Sequence, residues 1–308
     1  MIDFTDKNVL VTGGNGMIGR HLVELLYDTT SANITVADLP NVDLRDRKDC
    51  RAVCEGQDIV FHLAGIKGSP QRCMESPASF SVPMIQFNAN MVEAAFNADV
   101  DWFLYTSSVG VYHPAEVFVE DAVWKTFPSE NDWYAGWAKR IGEMNVEAYM
   151  EEHGWNKCSI VRPANVYGPY DNFGEWSMVV PSLIKKAHEN DVLEVWGDGS
   201  PIRDLIYSED VARGMLHMVE HEVTEPVNLG SGVEISIKDL AFIICEYFDV
   251  GLRFDDTKPS GDRKRLMSTE RAESYGFKPQ VGLEEGIKRT IEWYKEQPYT
   301  AVDWHKGE

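Results

Sequence analysis

Residues 8 to 19, NVLVTGGNGMIG, set a short β-branched run against a glycine-rich turn that opens at once into a helix-period segment. Few folds use that junction. Gly13 permits the tight turn, Gly16 lets the backbone approach a pyrophosphate, and Gly19 lets the helix pack on the strand. Asn15, Met17 and Ile18 complete the cradle, and the free N–H groups at the positive helix end would receive phosphates. Asp38 follows about 20 residues on, at the end of the second strand, where a carboxylate accepts hydrogen bonds from an adenosine ribose and repels a 2′-phosphate. An ordinary strand-to-helix turn and a solvated loop acid would also account for these residues singly. Taken together they predict a dinucleotide site that prefers NAD to NADP.

The first half of the chain repeats the junction's pattern. Asn8 to Thr12, Ile34 to Ala37, Asp58 to Leu63, Trp102 to Ser107 and Ser159 to Arg162 read as strands, with helices near 17–28, 46–54, 77–97 and 134–153. Strands such as VLVT, IVFHL and WFLYT are continuous apolar runs, as in a parallel sheet buried on both faces. The fold class is therefore α/β, a Rossmann-type doubly wound parallel sheet. Beyond about residue 165 the pattern loosens into glycine, proline and aromatic clusters, with helices near 177–189, 209–220, 236–247 and 283–297. Residues 1–165 are read as the dinucleotide-binding domain and 166–308 as a smaller α/β substrate-binding cap, with segments near 202–230 returning to the first domain.

Composition narrows the partners. Fifty acidic residues against 29 basic give a formal charge of −21, a surface that repels nucleic acid and anionic membranes. A phosphorylated ligand must then be caught by a local basic pocket. No apolar run approaches the roughly 18 residues of a membrane span, and the N-terminus enters a strand pattern directly, so a cytoplasmic protein is expected. Five cysteines (Cys50, Cys54, Cys73, Cys158, Cys245) without a CxxC pair predict neither a disulfide framework nor a zinc site.

Several further segments carry a likeness. The TGGNGMIG turn, Asp43-Leu44-Arg45-Asp46, His62-Leu63-Ala64-Gly65, Tyr105-Thr106-Ser107-Ser108 with Val111-Tyr112, Lys139 with Glu143, and Arg162-Pro163-Ala164-Asn165-Val166-Tyr167-Gly168-Pro169 resemble the extended short-chain dehydrogenase/reductases over nearly the whole chain. The resemblance implies that Asp43 and Leu44 flank the adenine, that Leu63, Ala64 and Gly65 pass under the dinucleotide, and that the backbone after Pro163 meets the nicotinamide. It also implies a catalytic group of Ser108, a tyrosine and Lys139. A hydride can leave a sugar carbon only as the hydroxyl proton is removed, which is the work of such a group.

The tyrosine is irregular. Ala135 stands four residues before Lys139, and the nearby tyrosine, Tyr134, stands five before it. In a regular helix a spacing of five turns a side chain about 140° away, against about 40° for a spacing of four. Three readings compete: a one-residue π-bulge that restores the pair, a Tyr134 that precedes the regular helix and reaches inward, or a site that has lost or replaced its tyrosine. Either of the first two requires the backbone between 132 and 139 to depart from α geometry.

Within that family the likeness is greatest to the GDP-fucose synthases, through residues 165–220 and through Lys258 to Leu266. That likeness places Trp196 against a nucleotide base, Arg203 and Arg265 on a diphosphate, and Asn165 and Lys186 facing substrate. Where those enzymes carry the Cys and His that move protons in 3,5-epimerisation, this chain has Val109 and Met178, which exchange none. No acidic pair of the kind dehydratases use follows Ser108. Hydride chemistry at the sugar 4-position remains: an NAD-dependent nucleotide-sugar epimerase, with the nucleotide expected to be GDP. The alternatives are a net 4-dehydrogenase or 4-ketosugar reductase, and a catalytically weakened NAD-binding sensor or scaffold. A homodimer through the helices near 77–97 and 134–153 is also expected, because Met84, Phe87, Met91, Phe96, Trp137, Ile141, Met144 and Tyr149 exceed one buried face.

Overall fold

The computed structural model describes residues 1–258 and 261–297. The first half runs β1 (Asn8–Thr12), α1 (Met17–Thr29), β2 (Asn33–Ala37), α2 (Arg47–Cys54), β3 (Ile59–His62), α3 (Pro70–Glu75), α4 (Pro77–Asn97), β4 (Trp102–Thr106), α5 (Trp133–His153) and β5 (Cys158–Pro163). The second half continues with β6 (Asn165–Tyr167), α6 (Val179–Glu189), β7 (Val192–Trp196), β8 (Ile202–Tyr207), α7 (Ser208–Glu220), β9 (Val227–Leu229), β10 (Glu234–Ser236), α8 (Ile237–Phe248), β11 (Gly251–Asp255), β12 (Lys264–Arg265), α9 (Glu270–Ser274) and α10 (Leu283–Glu296). Local chemistry sets many of these starts. Asp46 accepts from the Lys48 N–H to cap α2, Ser236 accepts from the Asp239 N–H to cap α8, and Pro77 occupies the first turn of α4, where no N–H partner is needed.

Six strands form one parallel sheet in the order β2-β1-β3-β4-β5-β9. The doubly wound class expected from the alternating pattern is the one observed. Its two faces are covered differently because successive side chains alternate. Val9 and Val11 face a core shared with Leu22 and Leu26 of α1 and Val211 and Met215 of α7, whereas Leu10 faces Met84 and Met91 of α4 and Val146 of α5. Strand order reverses between β1 and β3, so the crevice for a ligand opens at their C-terminal ends, beside the glycine turn and residues 63–65.

The remaining strands make two smaller sheets. β8 pairs with β10, β12 and β6, while β7 pairs with β11, and a third core of Leu183, Ile184, Leu193, Leu205, Leu240 and Ile287 holds them to α6, α8 and α10. All five cysteines are buried free thiols. No helix among the described residues is long and apolar enough to cross a membrane.

Candidate active site

The glycine turn is built around backbone contacts that a side chain would prevent. Gly13 sits at φ +71°, and a Cβ on it would lie 2.8 Å from the Ala64 amide; one on Gly19 would lie 2.1 Å from the Gly13 carbonyl. Leu63 and Ala64 are therefore packed directly under the turn. Gly16 caps α1 with no side-chain hydrogen bond, which leaves the first-turn N–H groups around Met17 and Ile18 to an outside anion. Asp38 reaches back from β2 and accepts from the Asn15 N–H at 2.8 Å. Burial raises its pKa, a shift that the N–H groups of Asn15 and Gly13 oppose. These residues fit a dinucleotide: a bare helix N-terminus for the pyrophosphate and a carboxylate at the end of β2 for the ribose. Of the residues expected beside the adenine, Leu44 is buried, and Asp43 grips Arg45, with 2.7 Å between Oδ2 and Nη2.

A buried polar chain runs beneath this turn to α5, and the sequence reading missed it. The Ala64 N–H donates to Thr12 Oγ1 at 3.3 Å, and Thr12 Oγ1 lies 2.7 Å from His62 Nδ1. His62 Nε2 is 3.0 Å from Asn88 Oδ1, Asn88 Nδ2 donates to the Tyr105 hydroxyl at 3.0 Å, and Tyr105 donates to the Lys139 carbonyl at 3.2 Å. Burial, with Lys139 nearby, pulls His62 down to about 3, so the imidazole is neutral. Thr12 then donates to Nδ1 and the Nε2–H donates to Asn88, which leaves every member satisfied. Gly142 admits the Tyr105 ring, since a Cβ there would fall 2.1 Å from the hydroxyl.

Lys139 projects from α5 to the end of β4, where its Nζ donates to the Thr106 carbonyl at 2.7 Å. The ammonium also lies 3.7 Å from the point a Cβ on Gly65 would occupy, beside the segment that follows Leu63 and Ala64 under the glycine turn. Burial lowers its pKa to about 8, with Glu143 acting in the opposite direction. Glu143 itself is buried against Arg162, with Nε–Oε1 and Nη2–Oε2 distances of 2.9 and 2.8 Å, and it also accepts from Ser107. Ser108 differs from its neighbour: Ser108 Oγ accepts from the Gly110 N–H at 3.1 Å and keeps its own proton free to donate.

The structure corrects the expectation for the backbone around Tyr134. A short 3-10 turn covers Glu130–Asp132, and α5 then runs without interruption from Trp133 to His153. There is neither a π-bulge nor a late helix start. Ala135, not Tyr134, lies on the Lys139 side and packs with the Ala64 and Ile66 cluster, while Tyr134 is 44% exposed in the first turn. The physical reason is Gly136, which fits tightly between the Gly110 carbonyl and Pro128; a Cβ there would meet them at 2.4 and 2.6 Å. That contact fixes the rotation of the helix start.

The substrate-side residues fall into two groups. The β8–β12 ladder sets Arg203 opposite Arg265. Neither stands as an open cation. Arg265 Nη2 lies 2.5 Å from Asp132 and 2.6 Å from Asp262, and Arg203 Nη1 donates to the carbonyls of Ile202 and Asp262 at 2.7 and 2.8 Å. Burial, with Arg265 close by, lowers Arg203 to about 10. Ser129 and Asn131 bond Asp262 as well. Asp132 and Ser108 Oγ each lie 3.6 Å from the point a Cβ on Gly110 would take, so this charged cluster adjoins the serine. Asn165 spends its amide on the Asp204 carbonyl at 3.1 Å. The second group centres on Trp196, 47% exposed, with Lys186 and Lys258 ammonium groups 5.1 and 5.8 Å from its ring. Pro259 and Ser260, within the stretch that carried the family likeness, lie outside the described residues.

The expected dimer helices, α4 and α5, pack on each other within the chain. Met84, Phe87 and Met91 are buried in its own core, so of the residues that suggested a partner Met144, 50% exposed, is the most open.

Comparison with known proteins agrees with this geometry. Residues 9–230 match the model of the NAD dependent epimerase/dehydratase family. The chain is 35% identical over 301 residues to a GDP-L-fucose synthase of Sinorhizobium fredii, covering 93% of this chain and 95% of that one. It is 30% identical over 306 residues to a putative UDP-glucose 4-epimerase of Methanocaldococcus jannaschii, covering 93% and 98%. A GDP-L-fucose synthetase from Naegleria fowleri bound to NADP superposes with a TM-score of 0.86 at 25% identity, covering 96% of each chain. With the glycine turn, the switch-point crevice and a matched segment that spans most of the chain, this protein belongs to the NAD dependent epimerase/dehydratase family, among the extended short-chain dehydrogenase/reductases.

Proposed function

We propose that the chain is an NAD-dependent epimerase of a GDP-linked sugar, which removes hydride from the sugar 4-carbon and returns it to the opposite face. One observation carries the reading: the Lys139 ammonium bonds the Thr106 carbonyl at the end of β4, two residues before Ser108, and stands beside Gly65, while Val109 is a buried apolar side chain after the serine and no acid follows it. That set handles a hydroxyl proton and little else. The relatives reported above, a GDP-L-fucose synthase and a putative 4-epimerase, support the nucleotide and the carbon respectively. Asp38 supports NAD over the NADP of the Naegleria complex, because its carboxylate would repel a 2′-phosphate.

When bound, the nicotinamide accepts and returns the hydride. Gly13, Asn15, Gly16, Met17, Ile18 and Gly19 would hold the pyrophosphate, Asp38, Asp43 and Leu44 the adenosine, and Leu63, Ala64, Gly65, Lys139 and Pro163 the nicotinamide end. Ser108 Oγ, already accepting from Gly110, donates its proton to the sugar 4-oxygen and orients it. Lys139, with its pKa near 8, keeps a positive charge beside that oxygen and stabilises negative charge on it. Tyr134 is the proton carrier in this proposal, and the regular helix imposes a condition: its phenol must reach over the first turn of α5 from the exposed side. Trp196 would stack on the base, with Arg203, Arg265, Lys186 and Asn165 around the diphosphate and sugar. For Arg265 to bind phosphate, Asp132 or Asp262 must yield it or take up a proton.

The test is turnover of GDP-, UDP-, dTDP- and CDP-sugars with NAD, scored by the 4-epimer formed per cofactor. Many turnovers on bound NAD without net NADH support the epimerase; stoichiometric consumption of NAD(H) replaces it with a 4-dehydrogenase or 4-ketosugar reductase. Tyr134→Phe should lower turnover at least about 100-fold, in line with loss of a general acid–base, and leave NAD affinity within about twofold. A variant that keeps its rate removes Tyr134 from the mechanism.

A further inference from the structure

The last turn of α7 and the residue that caps it read His217-Met218-Val219-Glu220-His221. A donor atom from each of His217, Glu220 and His221 lies within 4.8 Å of the other two, since residues three and four apart share a helix face. Backbone carbonyls decide both imidazole tautomers. Nε2 of His217 lies 2.7 Å from the Tyr275 carbonyl, and Nδ1 of His221 lies 2.9 Å from the His217 carbonyl. A carbonyl only accepts, so those nitrogens carry the protons, and Nδ1 of His217 and Nε2 of His221 keep their lone pairs. Holding the second ring nitrogen on a carbonyl is how metal-ligating histidines are oriented. His221 is exposed and the other two are half-buried, which leaves room for water on the open side.

We propose that His217, Glu220 and His221 bind one divalent transition-metal ion of the zinc and nickel class, with water completing its shell. Two imidazoles and a carboxylate suit those ions and not calcium or magnesium, which take oxygen ligands. Metal–nitrogen bonds of about 2.0–2.1 Å in a tetrahedral shell require donors about 3.4 Å apart, so the side chains close inward by torsion on a solvent-facing surface. The site serves structure. In a parallel sheet the helices run back from the crevice, and the C-terminal end of α7 lies by the chain start, where the Ile2 N–H donates to the Glu220 carbonyl at 2.8 Å. A metal there braces the last turn of α7 and fixes the His217 ring that holds the Tyr275 carbonyl, at the end of the sheet away from the glycine turn.

The experiment is calorimetric titration of the metal-free full chain with zinc and, separately, nickel, beside thermal unfolding with and without metal. The expected result is one equivalent bound and a raised midpoint, with His221→Ala weakening that equivalent at least tenfold and abolishing the shift. Its midpoint without metal should stay that of the parent, because the residue is exposed. His217→Gln, which retains a donor for Tyr275, should lose the same equivalent. Absence of a one-to-one binding event, or undiminished binding in both variants, overturns the proposal.

Discussion

Replacing Lys139 by methionine should make the protein more stable and nearly inactive. The ammonium is partly buried, bonded to the Thr106 carbonyl, and its pKa falls from 10.5 to about 8 because burial outweighs the attraction of Glu143. At 1.36 kcal/mol per pKa unit that drop corresponds to about 3 kcal/mol of folding free energy lost to the buried charge. The sign follows from proton counting. Below pH 8 both states are protonated and the cost is complete; between about 8 and 10.5 the unfolded chain binds the proton and the folded one does not, so wild-type stability rises with pH. Above 10.5 the cost is gone. Methionine removes the charge but forfeits the ammonium's hydrogen bond to Thr106, worth about 2 kcal/mol for a charged donor, so the net gain at pH 7 is about 1 kcal/mol. Urea denaturation of the cofactor-free pair at pH 7 and pH 10.5 reads it directly. The variant should lead at pH 7, and by pH 10.5 the order should reverse, leaving the variant about 1 kcal/mol behind through the lost hydrogen bond of what is by then a neutral amine. A variant no more stable at pH 7, or a difference that stays constant across the range, would refute both the burial argument and the lowered pKa.

Three further outcomes are accessible to simple measurement. Wild type should bind NAD more tightly than NADP in a direct titration, with Asp38→Ala narrowing the gap; equal affinities for the two in wild type would contradict the ribose assignment. Glu143→Ala should cost about 3–5 kcal/mol, because it strands the buried Arg162 guanidinium without its counter-charge, and a loss under 1 kcal/mol in denaturant would show that the pair carries little. Light scattering at micromolar concentration should give twice the 34.9 kDa chain mass if the exposed side of α4 and α5, around Met144, joins two copies, and a monomer mass counts against that interface.

How far the fold was legible follows from where its information lies. Asn8–Thr12 and α4 at Pro77–Asn97 appear where the apolar runs and the proline put them, since both rest on local patterning and a start signal. α3, the 3-10 turns and the short strands β6, β10 and β12 did not, because two to six residues carry no period to read. The spacing of Tyr134 was visible as an anomaly, but its resolution was not. Gly136, wedged between Gly110 and Pro128, sets the helix rotation, and those contacts come from segments 8 to 26 residues away.

The sequence by itself determined the family and pointed to a dinucleotide cradle, because the glycine turn, Asp38 and the Ser108 and Lys139 positions are each written within one strand–turn–helix unit. Only the tertiary structure decided what those residues meet. His62 and Tyr105 stand in the sequence only as parts of two motifs and Asn88 draws no notice, until the parallel register of β3 and β4 sets His62 beside Tyr105 and α4 brings Asn88 between them and toward Lys139. Arg203 and Arg265 are expected on a diphosphate, and the acid that holds Arg265 shows only when β8 and β12 pair and Asp132, 133 positions before it, closes on it. A buried charge takes whichever partner the folded chain brings beside it, and a linear spacing does not record which one that is.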